Sequence, residues 1–89
     1  MLERDIERYL IAQVNARGGE LRKVKWIGRR GAPDRFVMLP DRSFWIELKA
    51  PGEKLKAHQW REHMRMRLLG QDVVVADSYA AVMDALACI

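Results

Sequence analysis

The 89 residues predict a single α/β domain with elements in the order αβββαβα. Three observations carry that expectation. Apolar residues recur at helical spacing in two stretches, 2–16 and 54–69. Two short strands flank the turn Pro40-Asp41-Arg42-Ser43. The run Val73-Val74-Val75-Ala76 is apolar throughout, as a strand of a parallel sheet covered on both faces would be. Together they give one mixed β-sheet flanked by helices, with a short C-terminal helix.

The first helix is read from Leu2 to Ala16, where Ile6, Tyr9, Leu10, Gln13 and Val14 form one face and Glu3, Arg4, Glu7 and Arg8 the other. Gly18-Gly19 stops it. A first strand is expected over Glu20 to Ile27, where β-branched and aromatic residues mix with Arg22, Lys23 and Lys25. Next comes the basic, glycine-punctuated loop Gly28-Arg29-Arg30-Gly31-Ala32-Pro33, then a strand from Arg35 to Leu39. Its partner returns after the turn and runs through Phe44 to Lys49, stopped by Ala50-Pro51-Gly52. A helix from Lys54 to Leu69 has Ala57, Trp60, Met64 and Leu68 as its apolar stripe, with Gly70 as stop. Gln71 to Ala76 reads as a buried parallel strand, and Asp77-Ser78 caps a last helix, Tyr79 to Ala87, with Val82, Met83 and Leu86 inward. Residues 1–89 show no repeat, low-complexity tract or linker.

The hairpin between residues 31 and 49 holds the chemistry. Side chains alternate along a strand, so Glu47 and Lys49 share one face while Phe44, Ile46 and Leu48 line the other. If the turn pairs the two strands, Asp34 at the start of the first lies beside Glu47 and Lys49 at the end of the second. Two adjacent carboxylates repel unless a cation neutralises them. A hard divalent ion does so with oxygen ligands, and the Leu48 carbonyl offers a third. Lys49 beside such an ion could orient or help deprotonate a water and offset charge on a phosphate. That combination suits phosphodiester hydrolysis, although a hairpin bearing an ordinary surface ion pair would look the same.

Arg29 and Arg30 precede this corner, and a guanidinium offers paired donors to phosphate oxygens. Gln59 and His63 lie one helical turn apart on the following helix. Gln59 could reach a bound water or a phosphate, whereas a lone histidine on a helix flank is more often a half-buried packing residue. Lys54, Lys56, Arg61, Arg65 and Arg67 leave that helix strongly basic, a face that could follow a DNA backbone or simply be solvated.

Pro33-Asp34 followed by Glu47-Leu48-Lys49 resembles the signature of the PD-(D/E)xK nuclease superfamily. The fuller run, Gly31-x-Pro33-Asp34-Arg35, then Glu47-Leu48-Lys49-Ala50-Pro51-Gly52 and Gln59, is similar to the virus-type replication-repair nuclease domain, VRR-NUC, over nearly the whole chain. The resemblance implies a restriction-endonuclease-like αβββαβ core. It implies Asp34 and Glu47 as ligands of Mg²⁺ or Mn²⁺, Lys49 as the catalytic lysine, Gln59 as a motif residue, and an acid on the first helix. Glu3 and Glu7 both fit that last role, and Glu3 in the run Glu-x-x-Ile-Glu is the favoured one. The activity implied is a metal-dependent endodeoxyribonuclease acting on branched DNA such as four-way junctions, in repair, as a homodimer. Arg29, Arg30, Lys23, Lys25, Arg35 and Lys54 are the expected DNA contacts. The alternative is a non-catalytic DNA-binding module that keeps the fold.

Composition agrees without deciding. A formal charge of +4 rises to about +7 once three site carboxylates are set aside, which favours a polyanionic partner. Hydrophobic residues at 49% and charged ones at 31% exclude wholesale disorder. No apolar run approaches the roughly 20 residues of a membrane span, and no signal peptide is evident, so a cytoplasmic location is expected. The single cysteine, Cys88, excludes an internal disulfide or a cysteine-rich zinc site, and is expected to pack as a small apolar side chain.

Overall fold

The computed structural model describes residues 1–87. Cys88, and with it the expectation for its packing, lies outside the described residues. Seven elements follow in the expected order: α1 (Glu3–Ala16), β1 (Glu20–Lys23), β2 (Arg35–Met38), β3 (Ser43–Leu48), α2 (Ala57–Leu68), β4 (Val73–Ala76) and α3 (Tyr79–Ala87). The four strands form one sheet in sequence order, β1 and β2 antiparallel, β2 and β3 antiparallel, and β3 and β4 parallel. No described helix is long and apolar enough to cross a membrane.

Alternation along β3 divides the sheet into two unlike faces. Phe44, Ile46 and Leu48 join Val37 of β2 on the face that α1 and α3 cover with Ile6, Leu10, Val14, Val82, Ala85 and Leu86, all buried. Truncating one of the buried leucines, isoleucines or Phe44 to alanine costs about 2–5 kcal/mol. Tyr9 and Tyr79 stack at 4.3 Å between ring centroids and tie α1 to α3. On the opposite face Phe36, Trp45 and Trp26 meet as tilted rings, with Phe36–Trp45 at 4.6 Å and 50° and Trp26–Trp45 at 5.1 Å and 45°. That second face carries Glu47 and Lys49, and α2 lies against it.

The departures from expectation each have a local cause. β1 stops at Lys23 because β2 itself begins only at Arg35; Val24 makes one more bond, its N–H to the Asp34 carbonyl at 2.8 Å, before the loop leaves the sheet. α2 begins at Ala57 because residues 50–53 form a turn, Glu53 N–H to the Ala50 carbonyl at 2.9 Å. Its first turn is then fixed by Gln59 Oε1 accepting from the Lys56 N–H. β4 is half covered rather than buried, since it ends the sheet and Val75 stays 37% exposed.

The largest correction concerns α2. Its predicted stripe faces solvent: Ala57 is exposed, Trp60 is 56%, Met64 36% and Leu68 85% accessible. Glu62, His63 and Met66 are buried in its place. Polar partners waiting on the sheet at Glu47 and Lys49 turn the polar arc of the helix inward and leave its apolar arc outside.

Candidate active site

Hydrogen bonding fixes which backbone groups meet at the mouth of the β2–β3 hairpin. Leu39 N–H bonds the Arg42 carbonyl at 2.8 Å, and the register continues through Val37 opposite Phe44 and Arg35 opposite Ile46. One residue further, Asp34 falls opposite Glu47 as a non-hydrogen-bonded pair, the kind in which Cα atoms approach to about 4.5 Å. Two residues further, Pro33 falls opposite Leu48. Proline has no N–H, so the ladder ends there and the Leu48 carbonyl receives no donor from that position.

The loop carrying Asp34 is pinned to its surroundings. Trp26 Nε1 donates to the Pro33 carbonyl at 2.8 Å. Gly31 has a φ of +87° and passes so close to the start of α2 that a Cβ would sit 2.6 Å from the His58 carbonyl oxygen, so glycine is required twice over. Asp34 is exposed, while the Glu47 side chain is only 12% accessible.

α2 supplies the rest. Lys49, 6% exposed, donates from Nζ to Gln59 Oε1 at 2.9 Å. The same oxygen accepts the Lys56 N–H, so both its lone pairs are used and the amide is held fast. One turn on, His63 Nε2 lies 3.4 Å from Glu47 Oε1. Partial burial, and then the positive charges of Arg30, Lys56, Arg61 and Lys49, hold the nearby His58 imidazole below its usual pKa of 6.5.

On the α1 side the expectation changes. Arg35 is turned inward, its side chain 9% exposed, with Nε donating to Glu7 Oε2 at 2.6 Å, one terminal nitrogen to Asp34 Oδ1 at 3.1 Å, and the other 3.8 Å from Glu3 Oε2. It lies on the same strand face as Val37, which the hairpin register requires. Arg35 therefore joins structure to site from within and is not presented to a DNA backbone. It also stands between the helix acids and Asp34. Glu7 comes nearer this guanidinium than Glu3 does, and among the described residues no three acidic, histidine or cysteine side chains converge as a metal-holding group. Glu3 and Glu7, the two candidates for a helix-1 acid, both lie against Arg35, the same guanidinium that holds Asp34.

Lys23, Lys25, Trp26, Arg29 and Gly31 line, with Asp34, an open cleft of about 460 Å³. Arg29 reaches Glu62 at 3.9 Å with half its side chain exposed. Arg30 is exposed on the same loop. Lys54 lies elsewhere, in a depression with Trp60 and Val75. Arg35 as an internal clamp and the burial of Glu62 are not reached from the sequence, and His63, expected as a half-buried packing residue, is fully buried. The signal available was the helical spacing of Gln59, His63 and Met66, a second arc competing with the tryptophan-led one.

The register brings Asp34, Glu47 and the Leu48 carbonyl to one corner with the buried Lys49 ammonium alongside, and oxygen donors of this kind are those a hard divalent cation takes. No family model matches the chain. It is 47% identical over 77 residues to "Putative nuclease p44" of Acyrthosiphon pisum secondary endosymbiont phage 1, an alignment covering 85% of this chain and 83% of that protein. A solved structure described as a VRR_NUC domain superposes with a TM-score of 0.84 at 36% identity, over 94% of this chain and 92% of the other. Sequence and fold similarity over nearly the full length carry one conclusion: the chain belongs to the VRR-NUC family of nucleases.

Proposed function

We propose that the protein is a metal-dependent DNA endonuclease that hydrolyses phosphodiester bonds in branched DNA, four-way junctions being the favoured substrate, and that it works as a homodimer. The observation that carries the catalytic part is the register placing Asp34 opposite Glu47 while Gln59 holds Lys49 on the Glu47 face. Asp34, Glu47 and the Leu48 carbonyl are the groups that would hold Mg²⁺ or Mn²⁺. Such an ion supplies charge to a scissile phosphate and acidifies a water.

The chain's own residues do the remainder. Lys49 keeps an ammonium at the site, out of bulk solvent and aimed by Gln59, where it offsets charge developing on the phosphate. The Lys23, Lys25 and Arg29 cleft leads substrate toward Asp34 by attraction to the backbone. Support for pairing comes from α2, which leaves Trp60, Met64 and Leu68 exposed, with Trp60 beside Val75 at the free edge of the sheet. Two copies also give the two sites that symmetric nicking of a junction requires.

The test is a synthetic four-way junction incubated with Mg²⁺ and either wild-type protein or Glu47→Ala. Paired nicks by wild type and none by the variant are expected. Intact junction with wild type, or undiminished cutting by Glu47→Ala, overturns the proposal. Tight binding with no metal-stimulated cleavage would instead mark a non-catalytic DNA-binding module.

A further inference from the structure

His63 is fully buried at 0% exposure, and neither of its ring nitrogens has a hydrogen-bond partner among the described residues. A buried polar group left unpaired is costly, and natural interiors leave few of them. Its Nε2 nevertheless lies 3.4 Å from one acceptor, Glu47 Oε1. A displacement of about 0.3 Å brings that contact within ordinary hydrogen-bond range. We propose that His63 is a positioning residue for the Glu47 carboxylate, an inference that rests on Glu47 being a metal ligand.

The geometry behind this is a match of two periodicities. Glu47 near the end of β3 and Lys49 just beyond it, two residues apart, are separated by about 6.6 Å where the chain stays extended. Gln59 and His63, four apart on α2, are separated by about 6 Å along the helix. Gln59 therefore faces Lys49 while His63 faces Glu47, in two rungs between one strand and one helix. Each rung fixes one functional side chain. With Nε2–H as donor, His63 engages one carboxylate oxygen and selects the orientation in which the other is presented. A ligating carboxylate is ordinarily hydrogen-bonded in this way, and losing such a partner typically weakens metal affinity about tenfold to a hundredfold. The same rungs explain why α2 buries a histidine while leaving Trp60 and Leu68 in solvent.

The experiment measures Mn²⁺ binding to DNA-free protein by calorimetry, beside thermal melting and steady-state cleavage. His63→Leu keeps the bulk without a donor. His63→Gln restores a donor near the Nε2 position, and His63→Asn moves it toward Nδ1. His63→Leu is expected to melt no lower than wild type by more than a few degrees, to bind Mn²⁺ at least about tenfold more weakly, and to lower kcat with little change in KM. His63→Gln is expected to recover most of both losses and His63→Asn little of either. Wild-type Mn²⁺ affinity in His63→Asn or His63→Leu overturns the inference, as does His63→Gln being as impaired as the leucine variant. Glu47→Gln is the control. If it abolishes binding while the His63 variants do not, only the positioning role fails. If wild type binds no Mn²⁺, the metal-site reading fails and takes this one with it.

Discussion

Arg35 Nε on β2 donates to Glu7 Oε2 on α1 at 2.6 Å, with the guanidinium nearly withdrawn from water. One arginine thus bridges the first helix, the sheet and, through Asp34, the mouth of the hairpin. Removing one member of a buried pair strands the other, so Arg35→Met should destabilise the fold by about 3 kcal/mol, reduced from the upper end because Glu7 keeps some contact with solvent. Glu7→Gln in the same background should recover part of that loss. Urea unfolding of the two single variants and the double variant measures both, and additive losses would show that the pair is uncoupled.

The cleft beside Asp34 makes a prediction about salt. On the inactive Glu47→Gln background, replacing Lys23, Lys25 or Arg29 by alanine should weaken DNA binding similarly for all sequences and lower the slope of log K against log salt by about one per residue. Lys54→Ala, in a separate depression, should change that slope less. Fluorescence anisotropy at four or five salt concentrations distinguishes these outcomes.

Exposed apolar side chains on α2 connect to assembly. Trp60→Glu and Leu68→Glu place charge where a second subunit would pack, and both positions are open in the single chain. Each should convert a dimer into a monomer in sedimentation while shifting the monomer's melting temperature little. Unchanged dimers in both variants would move the contact to another surface.

His58 gives a pH dependence of defined sign. Partial burial and the cations Arg30, Lys56, Arg61 and Lys49 depress its pKa in the folded state, so the unfolded chain takes up its proton first as pH falls. The folded state is therefore disfavoured progressively below the unfolded value of about 6.5, and this contribution is absent above it. His58→Gln should flatten the decline of melting temperature between neutral and mildly acidic pH. An identical profile would remove His58 from the account.

Most of the fold, and the pairing at its centre, could be read before any coordinates. The turn at Pro40 to Ser43 and the alternation along Phe44 to Leu48 dictate a register, and from that register Asp34 must fall opposite Glu47. The parallel pairing of β4 likewise followed from its unbroken apolar run. What could not be read was rotation of a helix about its own axis. α2 offers two arcs, and the more apolar one reads as inward because sequence shows hydrophobicity but not which polar groups wait across the gap. Arg35 reads as a DNA contact for a related reason: a basic residue beside a catalytic-looking acid suggests a substrate contact, and only the strand's facing shows that it points into the protein.

Pro33 leaves a further mark on how the protein can vary. Because the residue across from Leu48 lacks an amide hydrogen, the oxygen left open there belongs to the main chain, and no exchange of the side chain at position 48 deletes it. A survey of single substitutions would score that position for greasy packing alone and miss its chemistry. The constraint is displaced onto the imino acid on the neighbouring strand, where even a mild change to alanine would restore a hydrogen able to claim the oxygen.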